Sequence, residues 1–340
     1  MRGNVDHQVL HIYRDSGIDQ QGKSKLEARQ QAAAELRSEG LKVDNQALGA
    51  KTGLHGRSTA KSYLKSWREL LRDQAAEHGK ANADKLTAQD VERFLSEKID
   101  QGLSRGYVQK LCSSLAKMEQ ALNKLAENEG KSGRHDWQGV LAEARSRAQN
   151  ELEKNHYDRS YRDPQSLIEN IKRDDHKIVA RMQLEGGARV AEASKIQARQ
   201  LAGIHETRQG EQVGVILVKN QAKGGKPRVI TVSPATYEKI ANHIAQHGKL
   251  SVDYERYRVG LMEAADKTGQ HKLIEIKNKK TGKKEPVHDW GGTHGLRYNY
   301  AQNSYKAHIE GGKSHEETLL KVSYEMGHNR AEITNRYLGI

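Results

Sequence analysis

The stretch EQVGVILVKNQAKGGKPRVITVS, residues 211 to 233, decides the fold. Two β-branched runs, Val213 to Val218 and Val229 to Val232, flank the Gly224–Gly225 pair, a pattern that predicts an antiparallel hairpin. The text on either side has helical spacing instead. DHKIVARMQLEGGARVAEASKI (175–196) precedes it and PATYEKIANHIAQHG (234–248) follows, with helices expected to continue to the end. A hairpin set among helices makes this half of the chain an α+β domain. The Lys-rich KNKKTGKKE (277–285), with its turn-prone Thr-Gly, reads as a loop or hairpin tip.

Upstream, the polar segment NHYDRSYRDPQS (155–166) reads as a domain boundary. Residues 57–154 read as a helical unit. Ser58 is the expected N-cap of a helix that turns Tyr63, Leu64, Trp67, Leu70 and Leu71 inward. Thr87 and Asp90 open a second helix as a capping box, and Ser104 opens a third. The third carries Val108, Leu111, Leu115, Met118, Leu122 and Leu125 at steps of three and four, a core stripe with no need of a catalytic explanation. A fourth runs from about residue 137 into ELEKN. Residues 1–56 form a polar N-terminal segment of unassigned role, with one clear helix in KSKLEARQQAAAELRSEG. The fold class expected overall is mainly α with a small antiparallel β-sheet.

Lys and Arg number 57 against 44 Asp and Glu, a formal charge of +13. Such a surplus favours a polyanionic partner, because neutralised phosphates release counterions. No apolar run approaches the roughly 20 residues needed to span a bilayer, and the N-terminus lacks the apolar core of a signal peptide. The single cysteine, Cys112, excludes an intrachain disulfide and a cysteine-rich zinc site. A reducing cytoplasm is the expected compartment.

Four short stretches in the second half carry residues with chemical potential. GGARVAEASKI holds Arg189 and Glu192, AKGGKPR holds Lys223, THGLRYNYAQ holds His294 and Arg297, and MGHNRAEITNRYLG holds His328 and, nine residues later, Tyr337. Each alone has a bland reading as a surface charge, an edge lysine or a packed ring. As a set they supply what phosphodiester exchange requires. Two guanidinium forks can neutralise the non-bridging oxygens, imidazoles and an ammonium can move protons, and a phenol can store the bond as a phosphotyrosine ester.

At this point the sequence resembles the tyrosine recombinases, or phage-type integrases. GGARVAEASKI is similar to the family's first arginine box, AKGGKPRVITV to its β-hairpin box, THGLRYNYA to its His-x-x-Arg box and MGHNRAEITNRYLG to its closing Gly-His and tyrosine box, in the family's order. The resemblance is strongest over about residues 160 to 340, and it implies a helical core-binding domain and a catalytic domain clamped around DNA. The catalytic residues implied are Arg189, Lys223, His294, Arg297, His328 and Tyr337, with Glu192 orienting Arg189 and Lys226 the neighbour that competes with Lys223. It implies double-stranded DNA bearing a specific site as partner, a tetramer on that DNA, accessory DNA-bending proteins, and neither metal nor nucleotide cofactor. Many members carry a further helix after the tyrosine, whereas only Leu338, Gly339 and Ile340 follow here, so either subunits communicate through another element or the sequence is truncated after the tyrosine. The rivals are a type IB topoisomerase or telomere resolvase using the same chemistry, and a non-catalytic basic DNA-binding regulator.

Overall fold

The structure is a computed structural model and is described for residues 1–131, 134–152, 158–207, 210–218, 227–277, 284–328 and 330–339; for 272–274, 276, 277, 284 and 286–289 only the backbone is described. The chain divides into two compact units, residues 1–155 and 156–340.

The first unit is helical: α1 (Val5–Asp15), α2 (Lys25–Ser38), α3 (Asn45–Lys51), α4 (Arg57–His78), α5 (Ala88–Asp100), α6 (Arg105–Asn128) and α7 (Gln138–Glu151). Its core joins Val9 and Ile12 of α1 to Trp67, Leu70 and Leu71 of α4, Phe94 of α5, Leu141 of α7 and the expected stripe of α6 from Val108 to Leu122, with Cys112 among it; Leu125, the last of the stripe, is buried as well. The N-terminal helix is therefore part of this core. Thr87 and Asp90 form the expected capping box, each side chain accepting from the other's backbone N–H at 3.1 and 3.0 Å. Ser104 caps α6 as expected. Ser58 does not cap α4: Gly56 occupies the N-cap in extended conformation, no side chain caps it, and Ser58 lies exposed in the first turn.

The second unit places three small sheets among helices α8 (Pro164–Glu169), α9 (Asp174–Gly186), α10 (Val190–Ala193), α11 (Pro234–His247), α12 (Tyr254–Lys267), α13 (Gly295–Glu310), α14 (His315–Glu325) and α15 (Ala331–Leu338). The strands are β1 (Lys195–Gln197), β2 (Leu201–Glu206), β3 (Gln212–Val218), β4 (Arg228–Val232), β5 (Lys249–Ser251), β6 (His271–Lys277) and β7 (Lys284–Trp290), paired antiparallel as β1–β5, β2–β3–β4 and β6–β7.

The expected hairpin is β3–β4, in register from Gly214 opposite Val232 to Val218 opposite Arg228. Ile216, Val218, Ile230 and Val232 alternate onto one face and are buried in the same core as Ile240 and Ile244 of α11. The Lys-rich stretch, expected as a loop or hairpin tip, lies between the paired strands β6 and β7, although helix had been expected on either side of it; its residues 278–283 lie outside the described residues. A signal was present in IEIK (274–277), where β-branched and charged residues alternate, but four residues at period two are easily overridden by helical neighbours. The last three helices enclose a second, smaller core of Ala301, Val322 and Met326, against which Tyr300, Tyr305 and Tyr337 pack.

Candidate active site

Two glycines shape the first arm of the site. Gly187 ends α9 with φ of 55°, a left-handed conformation that L side chains rarely adopt. Space forbids a side chain too: a Cβ at Gly187 would stand 2.5 Å from the Tyr300 ring, and one at Gly186 would stand 2.4 Å from Ile230. The chain that leaves this turn sets Arg189 at the N-cap of α10 and Glu192 three residues on. The Glu192 carboxylate, fully buried, accepts from the Arg189 backbone N–H at 2.8 Å and from its Nη1 at 2.6 Å.

The second arm is the start of α13. Gly291 and Gly295 let the segment around Tyr161 approach closely, since a Cβ at either would fall 2.2 Å from the Arg159 carbonyl or 2.4 Å from the Tyr161 ring. The Asn299 side chain then bonds Tyr161 through both its backbone N–H and its carbonyl, at 2.9 and 2.7 Å. His294 occupies the N-cap of α13 and Arg297 its first turn. The two part company there, for His294 is exposed and Arg297 has no exposed surface.

Arg297 is the hub. Its Nη1 donates to the Gly187 carbonyl, and its Nη2 donates to the Met326 carbonyl at 2.7 Å. Nη2 also lies 2.9 Å from His328 Nε2, and Nε lies 3.4 Å from the Tyr337 hydroxyl. A guanidinium can only donate, so His328 Nε2 accepts and a neutral His328 carries its proton on Nδ1. Burial lowers the Arg297 pKa, with Tyr337 opposing and Arg189 adding to the fall. The group nevertheless stays charged at any ordinary pH.

His328 owes its place to the end of α14. Gly327 has φ of 69°, its N–H bonds the Tyr324 carbonyl, and the N–H of His328 bonds the Ser323 carbonyl at 2.8 Å. That is a Schellman turn, with glycine at the left-handed position and His328 directly after it. Helix α15 is tied back to α14 by Ser323, which bonds the backbone of Arg330 at 2.7 and 2.8 Å, and by the buried Thr334 hydroxyl on the Leu319 carbonyl at 2.9 Å. The Tyr337 ring consequently packs beside Tyr298 and His328, with centroids 4.7 and 5.6 Å away, while its hydroxyl faces Arg297. It is both an anchor of the last helix and a phenol held against a cation.

The structure thus brings Arg297, His328 and Tyr337 into direct contact and links Arg189 to them through shared partners. His294, although part of its surface is open to solvent, belongs to the same charged environment: desolvation of the ring among its neighbours, then the charges of Arg297, Arg159 and Arg189, push its pKa down to about 4. Lys223 and Lys226 lie outside the described residues.

Sequence reading missed two arginines. Arg228, at the start of β4, is 8% exposed and touches both Glu192 and the carbonyls around His328. Arg159 lies close enough to depress His294. Arg228 looked like an ordinary charge at a strand end, and Arg159 like part of a polar linker. Three arginines, Arg189, Arg228 and Arg297, surround one buried carboxylate, which leaves a surplus of positive charge suited to an anion.

Among the described residues no group of three or more His, Cys, Asp and Glu side chains is placed to hold a metal ion, and no helix is long and apolar enough to cross a membrane. No protein-family model and no curated protein matches the chain. Among solved structures it is similar to the Tn1549 transposon integrase in complex with transposon right-end DNA, at 15% identity and a TM-score of 0.48, covering 91% of this chain and 94% of that one. The same integrase in complex with circular-intermediate DNA gives 15% and 0.47 over the same shares. The XerA recombinase gives 12% identity and a TM-score of 0.35, with 92% of each chain covered.

Proposed function

We propose that this protein is a site-specific DNA recombinase of the integrase type, acting on a mobile element in the cytoplasm by cutting and rejoining double-stranded DNA through Tyr337. The observation that carries the reading is the Arg297 guanidinium, fully buried, donating toward both His328 and the Tyr337 hydroxyl. A fully buried arginine beside a phenol and an imidazole is hard to explain by stability alone, since buried charge carries a large desolvation penalty. It is well explained by a phosphate that must be neutralised in a water-poor site.

In the proposed reaction the Tyr337 oxygen attacks the scissile phosphorus. A phosphorus–oxygen bond forms to the tyrosine, and the bond to the 5′-oxygen breaks. The phenolic proton is lost as the bond forms, with His294 as acid/base helper, and Lys223 protonates the leaving 5′-oxygen. Arg189 and Arg297 hold the non-bridging oxygens, where charge builds up in the transition state, and His328 is a second phosphate ligand. Reversal by a different 5′-hydroxyl rejoins the strand, because the ester keeps the bond energy. Four copies assembled on paired sites, with accessory DNA-bending proteins, would carry the exchange between duplexes.

The test is to incubate the protein with nicked duplexes cut from the DNA flanking its gene and to look for an SDS-resistant protein–DNA adduct. An adduct from wild type that is lost in Tyr337→Phe supports the reading. Shifted but never covalently trapped DNA, identical for both proteins, would instead identify a non-catalytic DNA-binding regulator.

A further inference from the structure

We infer that Arg228 is a positioning residue for the tyrosine site, clamping the turn that carries Arg189 to the turn that carries His328; the inference rests on the reading of the site given above. Its guanidinium spans two backbone segments far apart in sequence. Nη2 donates to the carbonyls of Gly186 and Glu325 at 3.0 and 2.8 Å, and Nη1 to those of Gly187 and Met326 at 3.5 and 3.1 Å. Nη1 also meets Glu192 Oε2 at 3.2 Å. One planar fork therefore joins the end of α9, the start of α10 and the end of α14, from the first residue of β4.

Arg228 bonds Glu192 and four backbone carbonyls, whereas Arg297 is the guanidinium that meets His328 and Tyr337, so the effect of Arg228 on chemistry passes through its neighbours. Three of them matter. Glu192 Oε1 takes the Arg189 side chain, while Oε2 is shared between the Arg189 backbone N–H and Arg228, so without Arg228 the carboxylate is held by Arg189 alone and can shift with it. The Met326 carbonyl takes Arg297 as well as Arg228, one residue before the turn that delivers His328. Gly327 itself lies on the Arg228 side chain, where an added Cβ would stand 3.2 Å from Cδ. A lysine keeps the charge but offers a point donor in place of the fork, and it cannot hold both turns together.

The experiment compares wild type, Arg228→Lys, and the double variant Arg228→Met with Glu192→Gln, which removes the Arg228 charge together with that of its carboxylate partner while leaving an amide oxygen that can accept from Arg189. Thermal melting identifies the folded variants. On these, the histidine NMR signal of His328 in the free protein and the single-turnover rate of adduct formation on the nicked duplex are measured, with DNA affinity alongside. The expected result is a displaced His328 signal and a cleavage rate lower by about 10²-fold, the penalty for misplaced reacting groups, with affinity changed less than about threefold. A folded variant with an unmoved His328 signal and wild-type cleavage overturns the inference. If wild type forms no adduct while the His328 signal still moves in the variants, the clamp stands and the recombinase reading falls.

Discussion

Arg228 and Arg297 donate to the same two backbone carbonyls, those of Gly187 and Met326. One arginine comes from a strand and the other from a helix, and the carbonyls belong to turns more than 130 residues apart in the chain. The consequence is a charged junction in which no single residue can be changed without exposing the needs of the others.

Gly187→Ala is the simplest probe of that junction. The substitution meets both a left-handed backbone and the Tyr300 ring at 2.5 Å, so it is expected to destabilise the second unit by about 2–4 kcal/mol. Thermal unfolding checks this, and a melting temperature within a degree of wild type would count against the close packing described.

Glu192→Ala removes the only carboxylate that meets both Arg189 and Arg228 among the described residues. Breaking a buried ion cluster from one side costs about 3–5 kcal/mol, because the partner charge is left without compensation. Glu192→Gln keeps the hydrogen-bond acceptor and is expected to be milder. Denaturant unfolding of the two variants should separate them in that order, and equal losses would show that charge has no part in the junction.

Arg297→Lys should leave DNA binding almost intact and reduce adduct formation by about 10²-fold or more. The fork that reaches Gly187, Met326, His328 and Tyr337 at once has no counterpart in an ammonium group. Single-turnover kinetics at saturating DNA make the comparison, and an unchanged rate would remove Arg297 from the chemistry.

The histidines give a pH dependence with a definite sign. His294, His135 and His176 all have pKa values lowered by desolvation, His294 to about 4. Between roughly pH 4 and the ordinary histidine value near 6.5 the unfolded chain binds protons that the folded chain does not. Stability should therefore fall as pH drops through that window and be fully present above it. A phosphate in the site offsets the arginine charges, so the His294 titration followed by NMR should move upward when DNA binds. A His294 that titrates near 6.5 in the free protein and does not respond to DNA would contradict this electrostatic picture.

Much of this was readable before any coordinates, for identifiable reasons. The α6 stripe, the Thr87 capping box and the β3–β4 hairpin are local patterns whose period or turn chemistry is written in a dozen residues. Gly187 and Gly327 were visible as glycines, but the rings and side chains that forbid a Cβ there come from distant elements. Arg228 was invisible because its meaning lies wholly in tertiary contacts: a strand-end arginine facing solvent would have the same sequence. The separation of His294 from Arg297 is similar, for a spacing of three residues suggests a shared helical face until the helix proves to start between them.

The central claim is that Tyr337, and no neighbouring phenol, becomes bonded to DNA. Tyr298, 4.7 Å away between ring centres, and Tyr300 and Tyr305 on the same helix are the natural competitors. The most direct measurement is mass spectrometry of the nuclease- and protease-trimmed covalent adduct. The expected result is a nucleotide remnant on the peptide containing Tyr337 alone, lost in Tyr337→Phe; a remnant on any other residue, or no remnant from an active wild-type protein, would contradict the account.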